Sequence, residues 1–445
     1  MNLETLVTEY PQIKDLITEQ PTFWRNPDYA LKADLPFSKA DLPFSKADIF
    51  DAVTRLDRFA PYLAKVFPET MVTNGMIESP LISLDNMQTA WEQQQHHELA
   101  GHLYLKADSE LPISGSIKSR GGIYEVLKFA EKIAITHGNL AYMDDYSVLA
   151  TDEFRQLFAD YGVIVASTGN LALSVGIVAA TFGFKTTVYM SHDARQWKKD
   201  KLRENGVTVK EFNTNFSAVI PKARADAALD PNIHFVDDEG SNDLFLGYAV
   251  AAVRLQKQLK EQQIKVDQEH PVIVYLPAGV GGSPSGVTFG LKTILGPHVH
   301  AIFCEPTHVP SVTLGMMTKL NDQISVYDIG LDGLTAADGL AVGRPSRLAG
   351  KVMRTLLFGS VTFPDNDIYR YVTQLQDTQD IIVEPSAAAG FTGIAPTIKN
   401  MPAFNTQNAT HIVWATGGSM MPQSEREANY AKGKRLLHQP KKVLI

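Results

Sequence analysis

A chain of 445 residues can bury a large core and favours two or three compact units over one. With 44% apolar and 20% charged residues it has the make-up of an ordinary globular protein, neither disordered nor fibrous. A net charge of −8 disfavours broad nucleic-acid binding, which needs a basic face, but leaves room for a small anionic substrate held by a few amides and cations.

Residues Met1 to Ile17 carry Glu4, Glu9 and Asp15 and lack the basic start and continuous apolar run of a secretion signal. A single cysteine, Cys304, excludes an internal disulfide and any multi-cysteine metal site within one chain. Both point to a reducing, cytoplasmic setting. Residues 1 to about 100 show no regular strand-helix alternation and predict helical segments joined by loops. Within them Lys32–Ser38 recurs as Lys39–Ser45, a tandem heptapeptide whose Pro36 and Pro43 would break a coiled coil, so a lengthened surface loop is expected. Helix resumes with Ser45 or Asp48 as its cap, because Ile49, Val53, Leu56 and Phe59 recur at helical spacing.

From residue 101 short apolar runs alternate with amphipathic stretches. Strands are expected near 102–106, 163–166, 185–190, 207–211, 233–236, 272–276, 299–304 and 410–415, and helices over 120–134, 170–182, 194–205, 243–262 and 285–295. This alternation predicts an α/β architecture with largely parallel sheets, in which ligands bind beyond the carboxyl ends of strands. The run Tyr161 to Phe184 is uncharged and long enough on paper to span a bilayer. Its interior Ser167-Thr168-Gly169-Asn170 has turn chemistry, so a buried strand, a polar loop and a core helix are expected instead.

Four strand-end segments can carry chemistry. Ser114-Gly115-Ser116-Ile117-Lys118-Ser119-Arg120-Gly121-Gly122 places a lysine among small residues at a strand-helix junction, where an amine can form a Schiff base with a carbonyl cofactor. The alternative is a solvated lysine opening a surface helix. Ser167-Thr168-Gly169-Asn170 offers hydroxyls, amides and a helix dipole to a carboxylate, or is an ordinary cap. The glycines of Gly279-Val280-Gly281-Gly282-Ser283 permit positive φ, so successive amides can cradle a phosphate at a helix start. No Gly-Lys-Ser/Thr follows, and Pro284 stands where a dinucleotide motif has its third glycine, so neither nucleotide fingerprint is present. Thr416-Gly417-Gly418 ends a strand with a hydroxyl that can meet a heterocycle nitrogen. Glu305, after the strand ending at Cys304, can ligate a cation together with carbonyl oxygens. His97, Glu98 and His102 are spaced one residue too far for a zinc-protease helix.

In this order the four segments resemble the pyridoxal-phosphate enzymes of the tryptophan-synthase-β fold, fold type II. The strings Ser167–Leu171, Leu276–Gly282, Ala337–Gly343 and Trp414–Gly418, with Phe59–Lys65 and Leu111–Lys118, are similar to the bacterial D-serine dehydratase family over about residues 50 to 420. The duplicated heptapeptide departs from that pattern. The resemblance implies a large domain (101–160 and 237–445) with a mostly parallel twisted sheet, a smaller α/β domain (161–236), and a mainly helical N-terminal extension (1–100) packed on the large domain.

It also implies site roles. Lys118 holds pyridoxal 5′-phosphate as a Schiff base and removes the α-proton. The amides of Gly279, Val280, Gly281, Gly282 and Ser283 bind the phosphate, Asn170 contacts the 3′-oxygen, and Thr416 meets the ring nitrogen. Ser167, Thr168, Gly169 and Asn170 hold the substrate carboxylate, while Thr168, Asp238 or the phosphate itself supplies the proton for the leaving hydroxyl. Glu305 matches the site of a cation, with potassium or another monovalent ion favoured over zinc and magnesium left open. The implied reaction is dehydration and deamination of D-serine to pyruvate and ammonia, with D-threonine giving 2-oxobutyrate. Residue chemistry leaves open a lyase for L-serine, L-threonine or a cysteine, a non-catalytic pyridoxal-phosphate carrier, and a phosphate-binding sensor. A monomer is expected, with no nucleic-acid or membrane partner.

Overall fold

The computed structural model describes residues 3–30, 44–192, 194–213 and 216–438, the last range by backbone only at 216–218. Apart from Phe44 and Ser45, the tandem heptapeptide lies outside the described residues. The described residues form eleven strands, numbered in chain order: β1 Phe23–Arg25, β2 Leu81–Ser83, β3 His102–Lys106, β4 Gly162–Ala166, β5 Lys185–Ser191, β6 Thr208–Phe212, β7 Ile233–Val236, β8 Val272–Pro277, β9 Val299–Pro306, β10 Gly359–Phe363 and β11 Thr410–Trp414.

Two compact units form. The larger comprises the described residues of Met1–Phe44, Ser79–Glu110 and Ala252–Ile445; the smaller comprises Ser45–Glu78 and Leu111–Ala251. These limits run differently from the segment boundaries expected at 100, 160 and 236. Residues 45–78 and 111–160 fall in the unit of the four-stranded sheet because their aromatic side chains pack there. Tyr62 stacks on Phe182 with centroids 4.4 Å apart, and Phe59 meets Tyr146 edge-on at 4.9 Å.

The larger unit holds a seven-stranded sheet in the order β1-β10-β9-β8-β11-β3-β2, parallel except for the two antiparallel edge strands β1 and β2. Strands β8 and β9 are buried at every residue, as a parallel sheet covered on both faces requires. Register places Pro277 of β8 opposite Cys304 of β9 and pairs Val413 of β11 with Tyr275 of β8. The segments that follow these three strands therefore leave the same end of the sheet side by side.

The smaller unit has a parallel sheet in the order β6-β5-β4-β7. The uncharged run resolves into β4, a polar turn, and a helix Asn170–Phe182 of 13 residues that ends at Gly183, where φ is +101°. No helix among the described residues is long and apolar enough to cross a membrane. The helix Lys46–Val66 opens on Ser45, whose amide donates to Asp48 Oδ2 at 2.7 Å in a capping box that uses both residues expected at this cap.

The expected strands and helices after residue 101 are all present within one or two residues at most ends, except that the stretch 243–262 divides into Asn242–Ala249 and Ala251–Glu261. Three strands are not foreseen by the sequence pattern: β1, β2 and β10. The first two are three-residue edge strands without a readable period. In β10 the buried polar residues Ser360 and Thr362 obscure the pattern; Thr362 Oγ1 accepts from the Thr22 amide at 2.8 Å, and Ser360 Oγ lies 2.7 Å from Thr313 Oγ1.

Candidate functional site

In the smaller unit Lys118 is the first residue of the helix Lys118–Thr136. The loop that delivers it is strained: Ile113, a β-branched residue, has φ +77°, and the Ser114 amide closes a three-residue turn on Pro112 O at 3.0 Å. Serine hydroxyls fix the loop to the next motif. Ser114 Oγ lies 2.6 Å from Ser174 Oγ and 2.7 Å from Ser119 Oγ, and Ser174 Oγ donates to Asn170 O at 3.0 Å. The lysine loop and the start of the helix Asn170–Phe182 are thereby brought together.

Lys118 Nζ donates to both oxygens of Asp238, at 3.1 and 3.0 Å, and the two side chains are 18% and 27% exposed. Nζ also lies 5.6 Å from the ring centre of Tyr248, a residue that no sequence motif singles out. Tyr248 reaches that position because the helices carrying Lys118 and Tyr248 approach closely. A Cβ on Gly121 would come within 2.6 Å of Tyr248 Cζ, and one on Gly247 within 2.7 Å of Arg120 O. Its hydroxyl is buried with no hydrogen-bond partner among the described residues, and burial holds its pKa well above the ordinary tyrosine range. The sequence signal for this contact is faint: a glycine inside each of two predicted helices, Gly121 and Gly247, and nothing that pairs them.

Ser167 Oγ accepts from the Gly169 amide at 3.2 Å, Thr168 and Asn170 are half-buried, and a Cβ on Gly169 would meet no atom within 4 Å. The turn thus presents hydroxyls and first-turn amides beside open space.

In the larger unit the glycine loop follows β8. Gly281 adopts φ +98° and caps the helix Gly282–Leu295, so the amides of Gly282 and Ser283 fall in a first turn, where no intrahelical acceptor exists. Carbonyls of the loop are engaged: Val280 O accepts from the Ser346 amide at 2.7 Å and Gly279 O from Ser311 Oγ at 3.2 Å. A Cβ on Gly279 would sit 3.1 Å from Gly339 O, which explains the need for glycine there. Thr416 is 9% exposed at the end of β11, and the adjoining Gly417 O accepts from the Glu384 amide at 3.0 Å.

Glu305 is fully buried in β9. Its oxygens accept from the amides of Val312 and Thr313, at 2.8 and 2.9 Å, and from the Thr313 hydroxyl. Burial nevertheless pushes its carboxyl up to about 7, against the opposing effect of those donors. Because Ser311 begins the same short helix, Glu305 and the glycine loop are joined through Ser311–Met317. Among the described residues no group of three or more His, Cys, Asp or Glu side chains is arranged to hold a metal ion.

Residues 72–417 match the family described as pyridoxal-phosphate dependent enzyme. A protein of Lactiplantibacillus plantarum named probable D-serine dehydratase is 70% identical over 437 residues, covering 98% of this chain and 99% of the relative. One of Pediococcus pentosaceus with the same name is 56% identical over 434 residues, 97% of this chain and 99% of the relative. The solved structure of Escherichia coli diaminopropionate ammonia lyase in complex with D-serine superposes with a TM-score of 0.71 at 17% identity, covering 94% of this chain and 98% of that one. At that identity the shared property is the fold, which is the fold type II architecture the sequence motifs implied.

The residues fit the family's cofactor. An amine with a paired acid, an amide cradle at a helix start and a strand-end hydroxyl followed by Gly418 at φ +148° are each built into one of the units. The chain belongs to the pyridoxal-phosphate dependent enzymes, in the group of bacterial proteins that carry the name probable D-serine dehydratase.

Proposed function

We propose that this chain catalyses the dehydration and deamination of D-serine to pyruvate and ammonia, and acts on D-threonine to give 2-oxobutyrate. The observation that carries the chemistry is Lys118 Nζ held 3.0 Å from Asp238 in a half-buried setting; the choice of D-serine rests on the relatives' name. Pyridoxal phosphate, when bound, supplies the electron sink that makes the substrate's Cα–H acidic.

The residues divide the remaining work. Lys118 binds the cofactor and takes the α-proton, and Asp238 stabilises the ammonium that results. Hydroxide leaves poorly at neutral pH, so the departing oxygen needs a proton, which passes from the Lys118 ammonium by way of Thr168 Oγ1 while the Asp238 carboxylate positions that ammonium. Ser167, Thr168, Gly169 and Asn170 hold the substrate carboxylate with hydroxyls and first-turn amides, and Asn170 also contacts the cofactor's 3′-oxygen. The amides of Gly279, Val280, Gly281, Gly282 and Ser283 hold the phosphate. Thr416 hydrogen-bonds the ring nitrogen; being neutral, it leaves a weaker sink than a carboxylate would, which suits elimination of a leaving group better than transamination. Glu305, with one lone-pair direction beyond its three donors, contributes to a potassium site. The protein acts as a cytoplasmic monomer.

The visible spectrum of the purified protein and parallel pyruvate assays with D-serine and L-serine test this reading. The expected result is a visible band at Lys118 and pyruvate from D-serine. A colourless protein that does not respond to added pyridoxal phosphate overturns the cofactor roles. Pyruvate from L-serine alone overturns the substrate.

A further inference from the structure

We propose that Glu125 is a positioning residue that sets Asp238 against Lys118. The inference rests on the roles given above to Lys118 and Asp238. Glu125 follows Lys118 by seven residues on the helix Lys118–Thr136, two turns along, so the two side chains share a helical face. That face meets the segment carrying Asp238 at three points. Lys118 grips Asp238 itself, Glu125 Oε1 bonds His234 Nε2 at 2.7 Å, and Glu125 Oε2 accepts from Ser241 Oγ. His234 lies in β7, four residues before Asp238, and Ser241 lies three residues after it, so one carboxylate holds both ends of the segment.

From its other side the segment is held by the helix Phe216–Ala227, whose Arg224 Nη2 lies 2.8 Å from Asp237 Oδ2 and 3.4 Å from Glu239 Oε2. Between its ends Asp237 makes the turn: its carbonyl accepts from the Ser241 amide at 2.9 Å, and its Oδ1 from the Glu239 amide at 3.1 Å. Those bonds shape the turn but tie it to nothing on the lysine helix. The Glu125 bracket supplies that tie. Ser241 Oγ also accepts from the Leu244 amide at 3.1 Å and so caps the helix Asn242–Ala249, which carries Tyr248 beside Lys118. Glu125 is 3% exposed, and a carboxylate that deeply buried needs both its donors. From the neighbouring elements it is faced by His234 and by Asp243, whose carboxylate is held by Lys128 Nζ at 2.5 Å. Glu125 touches none of the groups assigned to substrate or cofactor, so its effect reaches the reaction through Asp238.

The test compares holoprotein variants Glu125→Gln, Asp238→Asn and the double variant. A glutamine side chain has a single acceptor oxygen and no charge, so Glu125→Gln replaces one of the two accepting positions by a donor and removes the anion held between His234 and Ser241. The readouts are kcat and KM for D-serine and the pH at which the visible absorbance of the bound cofactor titrates. Glu125→Gln is expected to lower kcat about tenfold or more with KM little changed, as for a displaced catalytic group. It should also move the titration to lower pH, in the direction of Asp238→Asn, because both weaken the carboxylate's hold on a protonated nitrogen. The double variant should match Asp238→Asn alone. Losses that multiply in the double variant, or a wild-type titration in Glu125→Gln, overturn the proposal. If Glu125→Gln fails to fold, Ser241→Ala removes one arm only and should show the same shift to a smaller extent; an unshifted titration there overturns the proposal equally. Lys118→Ala separates the two levels: retained turnover refutes the parent reading. Lost turnover and lost absorbance beside a silent Asp238→Asn refute the positioning role and the part given to Asp238, and leave the cofactor role of Lys118 and the reaction assigned to the chain intact.

Discussion

The two halves of the proposed chemistry are built by opposite means. In the smaller unit a charged side chain is placed by other side chains: Lys118 by Asp238 and the Tyr248 ring, and its loop by the hydroxyls of Ser114, Ser119 and Ser174. In the larger unit the cradle is backbone, with Gly281 at φ +98° turning the amides at the start of the helix Gly282–Leu295. The difference concerns what each can tolerate. A side-chain group can be moved by a distant partner, whereas a backbone cradle depends on conformational freedom at one or two residues. Buried carboxylates repeat the contrast. Glu125 ties side chains from two elements together, while Glu305 accepts backbone amides from a single short helix.

Four substitutions put this difference between side-chain and backbone placement to the test. The largest effect is expected for Lys118→Ala, which should abolish the visible cofactor band and lower turnover about 10³-fold or more; retained turnover would show that the side-chain half is dispensable. Gly281→Ala forces a Cβ into the left-handed region, 3.0 Å from Ala349 Cβ. It should cost about 1–3 kcal/mol of stability, and weaken binding of pyridoxal phosphate as followed by absorbance titration. A normal melting temperature together with normal binding would remove the backbone argument.

Glu305 gives a pH signature. Its carboxyl is pushed up to about 7 in the folded protein from an ordinary value of 4.5, so the folded state binds more protons than the unfolded one between those values. The stabilisation is fully present below about 4.5 and is lost as pH rises through about 7. Thermal melts in buffer free of potassium, where no cation competes with the proton at Glu305, should therefore show a falling contribution across that window in the wild type that Glu305→Gln lacks; parallel profiles would contradict it. The smallest effect is expected for Ser45→Ala, which removes half of the capping box on the helix Lys46–Val66 and should cost about 1 kcal/mol, measured by urea unfolding, with kcat unchanged.

Much of this is legible in the residues alone. The alternation after residue 101 carries the α/β class, because a buried parallel strand such as Val272–Leu276 must be a continuous apolar run and the helices beside it must be amphipathic. Turn chemistry inside Tyr161–Phe184 correctly divides that run into strand, loop and helix. What escapes is structure stabilised by partners distant in sequence. Strand β10 needs Thr22 and Thr313 to satisfy its buried hydroxyls, and nothing within its own five residues announces them. The packing of residues 45–78 and 111–160 with the four-stranded sheet depends on aromatic contacts such as Tyr62 with Phe182, which lie far apart along the chain.

The reagents are readable from local residue order: an amine among small residues, a hydroxyl-rich helix start, a glycine loop and a strand-end threonine, each a pattern whose conformational demands are written in its own residue types. Their partners come from the folding of distant segments onto one another. Asp238 meets Lys118 across 120 residues, Tyr248 reaches the same amine because two glycines let their helices approach, and Glu305 caps a helix that begins after its own strand has ended. Local backbone preference is set by each residue and its neighbours, whereas the pairing of buried charges and rings is set by which surfaces the folded chain brings together.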